Sequence, residues 1–384
     1  MKKTIKLGIV SVVASVMLVG CGGGSGSSSS DSASSAGGNG DTTNYARTFK
    51  TMPIVAQVEE LMGGVIGIAD EVGNGKIGDP LGESIAHADT TLVESQFSWN
   101  STMDFYNNII SIKNVWHGGL KDIAEASQPT QASEITAKID EALASIVAIS
   151  DYDKDGVLET TDLTAEDGLM AFRQQILDPE GRAKIENAQE KLSSLQRDLE
   201  ILKTSIAPTD EQLPLAAKVV DNVIVPGYER LNKKASELVE ALTALKNNPT
   251  AATVTVARNA WRAAREPWEA SEGHIFGPVD TLGVDPKVDS WPVDKNQLDG
   301  ALGGYDPELS NIDGFPVTMK GFHAIEYLLF GDGTTLESAE DAAIRLQTPV
   351  GDEDTAEDKV RLGYLEALGK SFQKDIQSLV DAWK

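Results

Sequence analysis

From about Tyr45 to the C-terminus, apolar side chains recur every three or four residues, the spacing that lines one face of an α-helix. The pattern predicts helices over Ile54 to Ala69, Thr90 to Trp116, Ser133 to Ile149, Thr164 to Leu177, Ala183 to Leu202, Val254 to Glu272, Thr318 to Phe330 and Lys359 to Trp383. A further long run, Leu215 to Leu245, is expected to bend near Pro226. No stretch alternates β-branched and polar residues for long enough to need a sheet. Stacked helical bundles are the economical way to bury so many one-sided helices, so the fold expected is all-α with two bundle domains. Three gaps interrupt the periodicity: Gly73 to Gly82, Pro208 to Pro214, and a Gly-, Pro- and Asp-rich run from Gly273 to Pro316. The second divides the folded region into segments 45–210 and 211–384. The third is long enough to be a functional loop or one packed across a domain face.

The first 44 residues break the pattern. Residues 1–20 read as a lipoprotein signal peptide: Lys2, Lys3 and Lys6 precede an apolar stretch, Ile9 to Val19, that is too short to span a bilayer. Leu18-Val19-Gly20-Cys21 resembles a bacterial lipobox, in which Cys21 becomes the acylated first residue of the mature chain. Several acyl chains give stable membrane anchoring. Gly22, rather than Asp, after the cysteine favours the outer membrane, with the protein facing the periplasm or the cell surface. Residues 21–44 are nearly all Gly, Ser, Ala, Asp and Asn and read as a flexible tether. Cys21 is the only cysteine, which excludes disulfides, thiolate metal sites and a cysteine nucleophile.

Charge narrows the partners. The 384 residues carry 59 Asp+Glu against 33 Lys+Arg, a formal net charge of −26. Removing residues 1–20 takes three lysines and no acid, which moves the balance to −29. A nucleic-acid partner is excluded, because phosphate binding needs clustered Lys and Arg. An acidic surface suits cations and cationic ligands.

Asp151-Tyr-Asp153-Lys-Asp155-Gly156-Val157-Leu158-Glu159-Thr-Thr-Asp162 has the spacing of an EF-hand-like calcium loop. Asp151, Asp153 and Asp155 supply carboxylates, Val157 a backbone carbonyl, and Glu159 a direct or water-mediated contact. Asp162 takes the twelfth position, where the longer Glu is usual, which shortens the bidentate reach. A structural calcium ion is the reading, against an acidic turn that binds none.

Two helical runs carry polar groups on apolar faces. Trp261, Arg265, Trp268 and Glu272 follow one another at spacings of four, three and four, with Glu269 beside them. An Arg and a Glu buried between tryptophans need each other or a ligand. A salt bridge between domains and a binding site fit equally at this point. Gly321, His323 and Glu326 lie on an otherwise apolar run, with the imidazole and carboxylate three residues apart and facing the same way. Both are legitimate ligands for iron or zinc, and a core histidine bonded by its helix neighbour is the plainer alternative. Further ligands must come from distant segments, with Glu272, Glu269 and Glu94 best placed; Glu94, Ser98, Ser101 and Asn108 make a second polar stripe. There is no His-Glu-x-x-His, so the usual zinc-peptidase pattern is absent. His87, His117 and His274 lie near helix ends or in loops, where a lone histidine is usually solvated, although His274 follows Glu272 closely.

Taken together, Trp261-x-x-x-Arg-Glu-Pro-Trp268-x-x-Ser-Glu272, Phe276-Gly-Pro, Trp291-Pro-Val-Asp294 and Gly321-Phe-His323-Ala-Ile-Glu326 resemble the imelysin-like family. Its signature is the Gly-x-His-x-x-Glu stretch. Glu71-Val-Gly-Asn-Gly-Lys76-Ile and the segment from Val93 to Gly118 also look like imelysin sequence. The Glu94 segment precedes the His-x-x-Glu region rather than following it, which suggests a circular permutation with its junction near Pro208 to Pro214. The resemblance implies an all-helical, periplasm-facing protein of two bundle domains with a cleft site. Carried onto this chain, that site comprises His323, Glu326, Glu272, Arg265, Trp268 and Glu94. It also implies a link to iron uptake and its components, and a peptidase label. The expected function is binding of iron or an iron-containing ligand. A zinc-type metallopeptidase, with Glu272 or Glu94 as base, and a metal-free binding module remain open.

Overall fold

The computed structural model describes residues 44–150, 171–302, 312–350 and 360–384. Cys21, the tether and the calcium-type loop at 151–162 lie outside the described residues. No regular strand occurs among the described residues; the regular elements are helices, as the periodicity required. One group of helices comprises α1 (Ile54–Asp70), α2 (Ser101–Val115), α3 (Pro129–Ser150) and α4 (Pro179–Ser205). A second comprises α5 (Val225–Asn247), α6 (Ala251–Glu269), α7 (Gly321–Phe330), α8 (Ala339–Gln347) and α9 (Val360–Trp383). Within the first, α3 packs on α4 and α2, and α1 on α4; within the second, α5 packs on α6 and α9. Helix α6 also lies against α2, and the turn that follows α6 packs on α1 and α2, so residues 41–384 form one compact unit.

Local chemistry starts these helices where they start. Asp178 caps α4 by accepting from the backbone N–H groups of Glu180 and Gly181 at 3.0 and 2.8 Å, and Pro179 supplies the fixed φ of a first helical residue. Ile185, Ala188, Leu192, Leu195, Leu199 and Leu202 then bury the inner face of α4 completely. Each fully buried Leu or Ile contributes about 1.5–3 kcal/mol before conformational entropy is subtracted. Thr250 caps α6 in the same way, accepting from Thr253. The run through Pro226 is α-helical from Leu213 to Val219, widens to a π-helical turn over Val220–Ile224, and resumes as α5 with Pro226 in its first turn. The wider π-helical turn directly before Pro226 is where the continuous helix accommodates a residue that cannot donate to the ladder.

Two sequence expectations need correction. The helix expected from Thr90 begins only at Ser101. Residues 94–99 are a chain of turns, with Ser95 and Trp99 at φ 48° and 60°. The Ser98 backbone N–H, which a helix would spend on the preceding turn, donates instead to the Glu326 carboxylate at 2.8 Å, and the Ser101 hydroxyl donates to the Glu94 carbonyl at 2.5 Å. Tertiary capture by a distant carboxylate has overridden local periodicity. The second correction is the Gly73 to Gly82 gap, which is helical. Helix α1 runs on as a π-helical segment over Glu71–Gly78, and that wider turn carries Lys76 inward. The long Gly273 to Pro316 run holds the short helices Pro278–Leu282, Asp285–Val288 and Lys295–Leu302.

His274 belongs to the core. Its side chain is 1% exposed, with Nδ1 3.1 Å from the Tyr228 hydroxyl, and the two rings meet edge to face at 5.2 Å. Burial pushes the imidazole down to about 3. An unfolded histidine titrates near 6.5, so between those values the unfolded chain holds a proton that the native site refuses. This contribution to stability is present in full above pH 6.5 and is lost as pH falls toward 3. Urea unfolding across pH 6.5 to 4 should therefore give a shallower acid slope for His274→Gln, by about one proton; an unchanged slope would show that the site does not discriminate.

Candidate functional site

Between α2, α6 and α7, buried charges from both parts of the chain converge. Arg265 of α6 is their centre and is fully buried. Its Nη1 meets Asp289, its Nη2 lies 2.7 Å from Glu94 Oε1 and 2.5 Å from Glu269 Oε1, and its Nε donates to Asp104 Oδ2 at 3.1 Å. The guanidinium also stacks 5.1 Å above the Phe322 ring. The two flanking tryptophans hold the frame: Trp268 Nε1 donates to Asp289 Oδ2 at 2.6 Å, and Trp261 Nε1 to the Phe322 carbonyl at 3.0 Å. Asp104 is locked further by Ser95 and Asn100 at 2.5 and 2.6 Å.

Helix α7 brings the imidazole. His323 Nδ1 lies 2.9 Å from Glu326 Oε2, and Glu326 Oε1 accepts from the Ser98 N–H and hydroxyl at 2.8 and 2.7 Å. Glu326 is thereby saturated and acts as a brace that fixes the ring. The other nitrogen, Nε2, points toward Asp289 Oδ1 at 3.1 Å and Glu94 Oε1 at 3.5 Å, out of line for a hydrogen bond. Trp291 covers the ring edge to face at 4.8 Å. Gly321 makes the approach possible: its φ of 77° suits glycine, and a Cβ there would stand 2.4 Å from the Val288 carbonyl, one residue before Asp289.

Lys76 completes the cluster. Its ammonium lies 3.0 Å from Glu272, 3.2 Å from Glu94 and 3.5 Å from Glu269, while Asn108 Nδ2 donates to Glu269 and Glu272 at 2.6 and 2.7 Å. Six carboxyl side chains therefore face two permanent cations and one imidazole, all almost wholly buried. The balance shifts every ionisation. Burial, with Glu269 beside it, drives Glu272 well above the ordinary carboxylate range, against the pull of Lys76. Burial pushes Glu269 up to about 8 although Arg265 and Lys76 oppose it. Burial works against the charge of Glu94 too, but Lys76, His323 and Arg265 hold it down at about 2. Asp289 is held low by Arg265 and His323 against the same burial. Burial and Arg265 disfavour a charged His323, yet Asp289, Glu326 and Glu94 together hold it well above its usual value.

Two acidic cavities lead to this cluster. One, of about 310 Å³, is lined by Lys76, Glu94, Glu272, Asp285, Asp289 and Trp291 among others. The other, of about 340 Å³, is lined by Glu59, Glu60, Glu71, Glu272, Asp280 and Asp285 beside the glycines of α1. Both share Glu71, Glu272 and Asp285, so a cation meets carboxylates along the whole approach.

All seven cleft residues expected from sequence, His323, Glu326, Glu272, Arg265, Trp268, Glu94 and Glu269, are brought together here. Lys76, Asp104 and Asp289 are site residues that the sequence reading does not single out; Glu326, expected as a ligand beside His323, bonds Nδ1, and Asp289 faces Nε2. Ligand atoms of Glu94, Asp289 and His323 all fall within 4.8 Å of one another, as do those of Glu269, Glu272 and Asp289.

The sequence profile of the imelysin family matches residues 33–199 and 224–384, and the chain belongs to that family. Over 111 residues it is 43% identical to iron-regulated protein A of Synechococcus elongatus, a match covering 29% of this chain and 30% of that relative. The fold is similar to the crystal structure of an imelysin peptidase from Bacteroides ovatus, with a TM-score of 0.63 and 30% identity over 77% of this chain and 86% of that one.

If Arg265 holds the cluster together, Arg265→Met must leave Asp289 and Asp104 without their main counter-charge and Glu94 without one of its three. Urea unfolding at pH 7 should show a loss of about 3–5 kcal/mol. A loss under about 1 kcal/mol would mean that Lys76 and protonation suffice without it.

Proposed function

We propose that this chain is an envelope lipoprotein that binds iron through His323 Nε2, Glu94 and Asp289, as a step in iron uptake. The observation that carries the reading is the imidazole nitrogen. With Nδ1 bonded to Glu326, a neutral ring turns the Nε2 lone pair toward two carboxylate oxygens, an arrangement that repels unless a cation sits on that nitrogen. A proton serves when nothing else is bound, and a metal ion serves equally well. An imidazole with two carboxylates is a donor set suited to iron, and the Glu326–His323 bond is the outer-shell support that metal-bound histidines usually have. Bound iron is cargo in this reading. The protein's part is to present oriented ligands, exclude water with Trp291, and gather cations through acidic cavities.

The name of the cyanobacterial relative supports the association with iron, and the lipobox-like Leu18-Val19-Gly20-Cys21 supports anchoring at the membrane. The peptidase reading is weaker here. A peptide bond needs room on both sides of the scissile carbonyl, whereas the buried ring lies among carboxylates beside a cavity of about 310 Å³.

Full-length protein loaded anaerobically with Fe²⁺ and desalted should retain about one equivalent, and His323→Ala should lose at least 90% of it while keeping a native circular-dichroism spectrum. Retention by the variant would transfer binding elsewhere, and cleavage of a peptide library abolished by the same change would restore the enzyme. In cells, Cys21→Ser should move the chain from the membrane to the soluble fraction; continued membrane association would contradict lipid anchoring.

A further inference from the structure

The two groups of candidate ligand atoms overlap. Glu94, Asp289 and His323 form one; Glu269, Glu272 and Asp289 form the other, with Asp289 common to both. The second is not open to an incoming ion in the same way as the first, because an ammonium already lies against it. Lys76 Nζ contacts Glu272 and Glu269 at 3.0 and 3.5 Å and reaches Glu94 Oε2 at 3.2 Å. An ammonium has three N–H groups, and here three carboxylates lie within hydrogen-bond reach, with the Glu71 carboxylate farther off at 3.9 Å. The side chain is 8% exposed and lines the 310 Å³ cavity together with Glu94, Glu272 and Asp289. The π-helical turn over Glu71–Gly78 delivers it, which gives that departure from α-helical geometry a purpose.

We propose that Lys76 is a tethered cation filling the second of two adjacent cation positions, so that the site accepts a single metal ion. The inference rests on the metal-binding reading above and goes beyond it, from which residues bind to how many ions they admit. Ammonium–carboxylate contacts run near 3 Å, whereas metal–oxygen bonds for oxygen-loving cations are about 2.0–2.6 Å. The same oxygens can close on one or the other, not on both. Met is close to Lys in length but carries no charge, so Lys76→Met removes the cation facing Glu272, Glu269 Oε2 and Glu94 Oε2, while Arg265 still holds Glu269 Oε1. A second divalent ion then restores the balance, with Asp289 shared between the two positions. Arg at the same position keeps the tethered charge.

Manganese(II) is the probe, an oxygen-seeking divalent ion that is stable in air and visible by electron paramagnetic resonance. Equilibrium dialysis of the full chain carrying Asp151→Asn and Asp153→Asn, which disable the calcium-type loop expected at 151–162, followed by elemental analysis should give about one equivalent in that background, two when Lys76→Met is added and one when Lys76→Arg is added. The Lys76→Met spectrum should show the broadening of two coupled ions. Should Lys76→Met fold only with metal present, the count is made on protein expressed and purified in manganese. Adding Glu269→Gln and Glu272→Gln to it, which removes the second set of ligands, should return the count to one. One equivalent in that background both with and without Lys76→Met, and no coupling, would overturn the tether and leave the metal site standing. No manganese in the background with Lys76 intact would overturn both.

Discussion

Six carboxyl groups stand around one buried guanidinium, and a protein interior tolerates this only while cations stay within reach of each. Arg265 reaches four of them directly, Lys76 two that Arg265 also touches or neighbours and one it does not, and the imidazole of His323 the remainder. Removing charges from water costs several kcal/mol per ion, so the arrangement is not explained by stability; apolar side chains of the same volume would hold helices together at least as well. What the cluster provides is a low-dielectric hollow with more negative charge than the chain itself neutralises. Protons on Glu269 and Glu272 absorb part of the excess, since burial raises both carboxyls.

That constraint also shapes the surrounding backbone. The turns over residues 94–99 exist because Glu326 takes the Ser98 N–H, and the positive φ of Gly321 lets the Val288 carbonyl pack against α7 beside Asp289. The wide turn after α1 aims Lys76 into the same hollow. In each of these places a regular helix has been given up beside the charges, although π-helical turns also occur away from them, at Trp116–Leu120 and Val220–Ile224.

Much of this was legible from residue order, and the reasons for the rest are physical. Trp261, Arg265 and Trp268 announce a shared face because α6 is regular, and His323 with Glu326 does so because α7 is regular. Periodicity speaks only where helices are ideal. Lys76 lies in a glycine-rich stretch whose π-helical turn follows no 3.6-residue rhythm. Asp289 sits in a loop run that also holds Asp280, Asp285 and Asp294, and spacing offers no reason to prefer it over them. Its role comes from the Trp268 and Arg265 bonds that only the folded chain supplies. The Glu94 segment was placed on the right site but in the wrong conformation, because the partner that unwinds it is more than two hundred residues away.

A cation at the nitrogen of His323 that faces Glu94 and Asp289 is what the charge arrangement of the whole cluster requires. Crystals of the full chain grown with Fe²⁺ under anaerobic conditions, with diffraction collected on both sides of the iron absorption edge, test it most directly. The prediction is an anomalous peak about 2.0–2.3 Å from His323 Nε2 and bonded to oxygens of Glu94 and Asp289. An iron peak elsewhere with none at His323, or an imidazole still in plain contact with both carboxylates in iron-loaded protein, would contradict it.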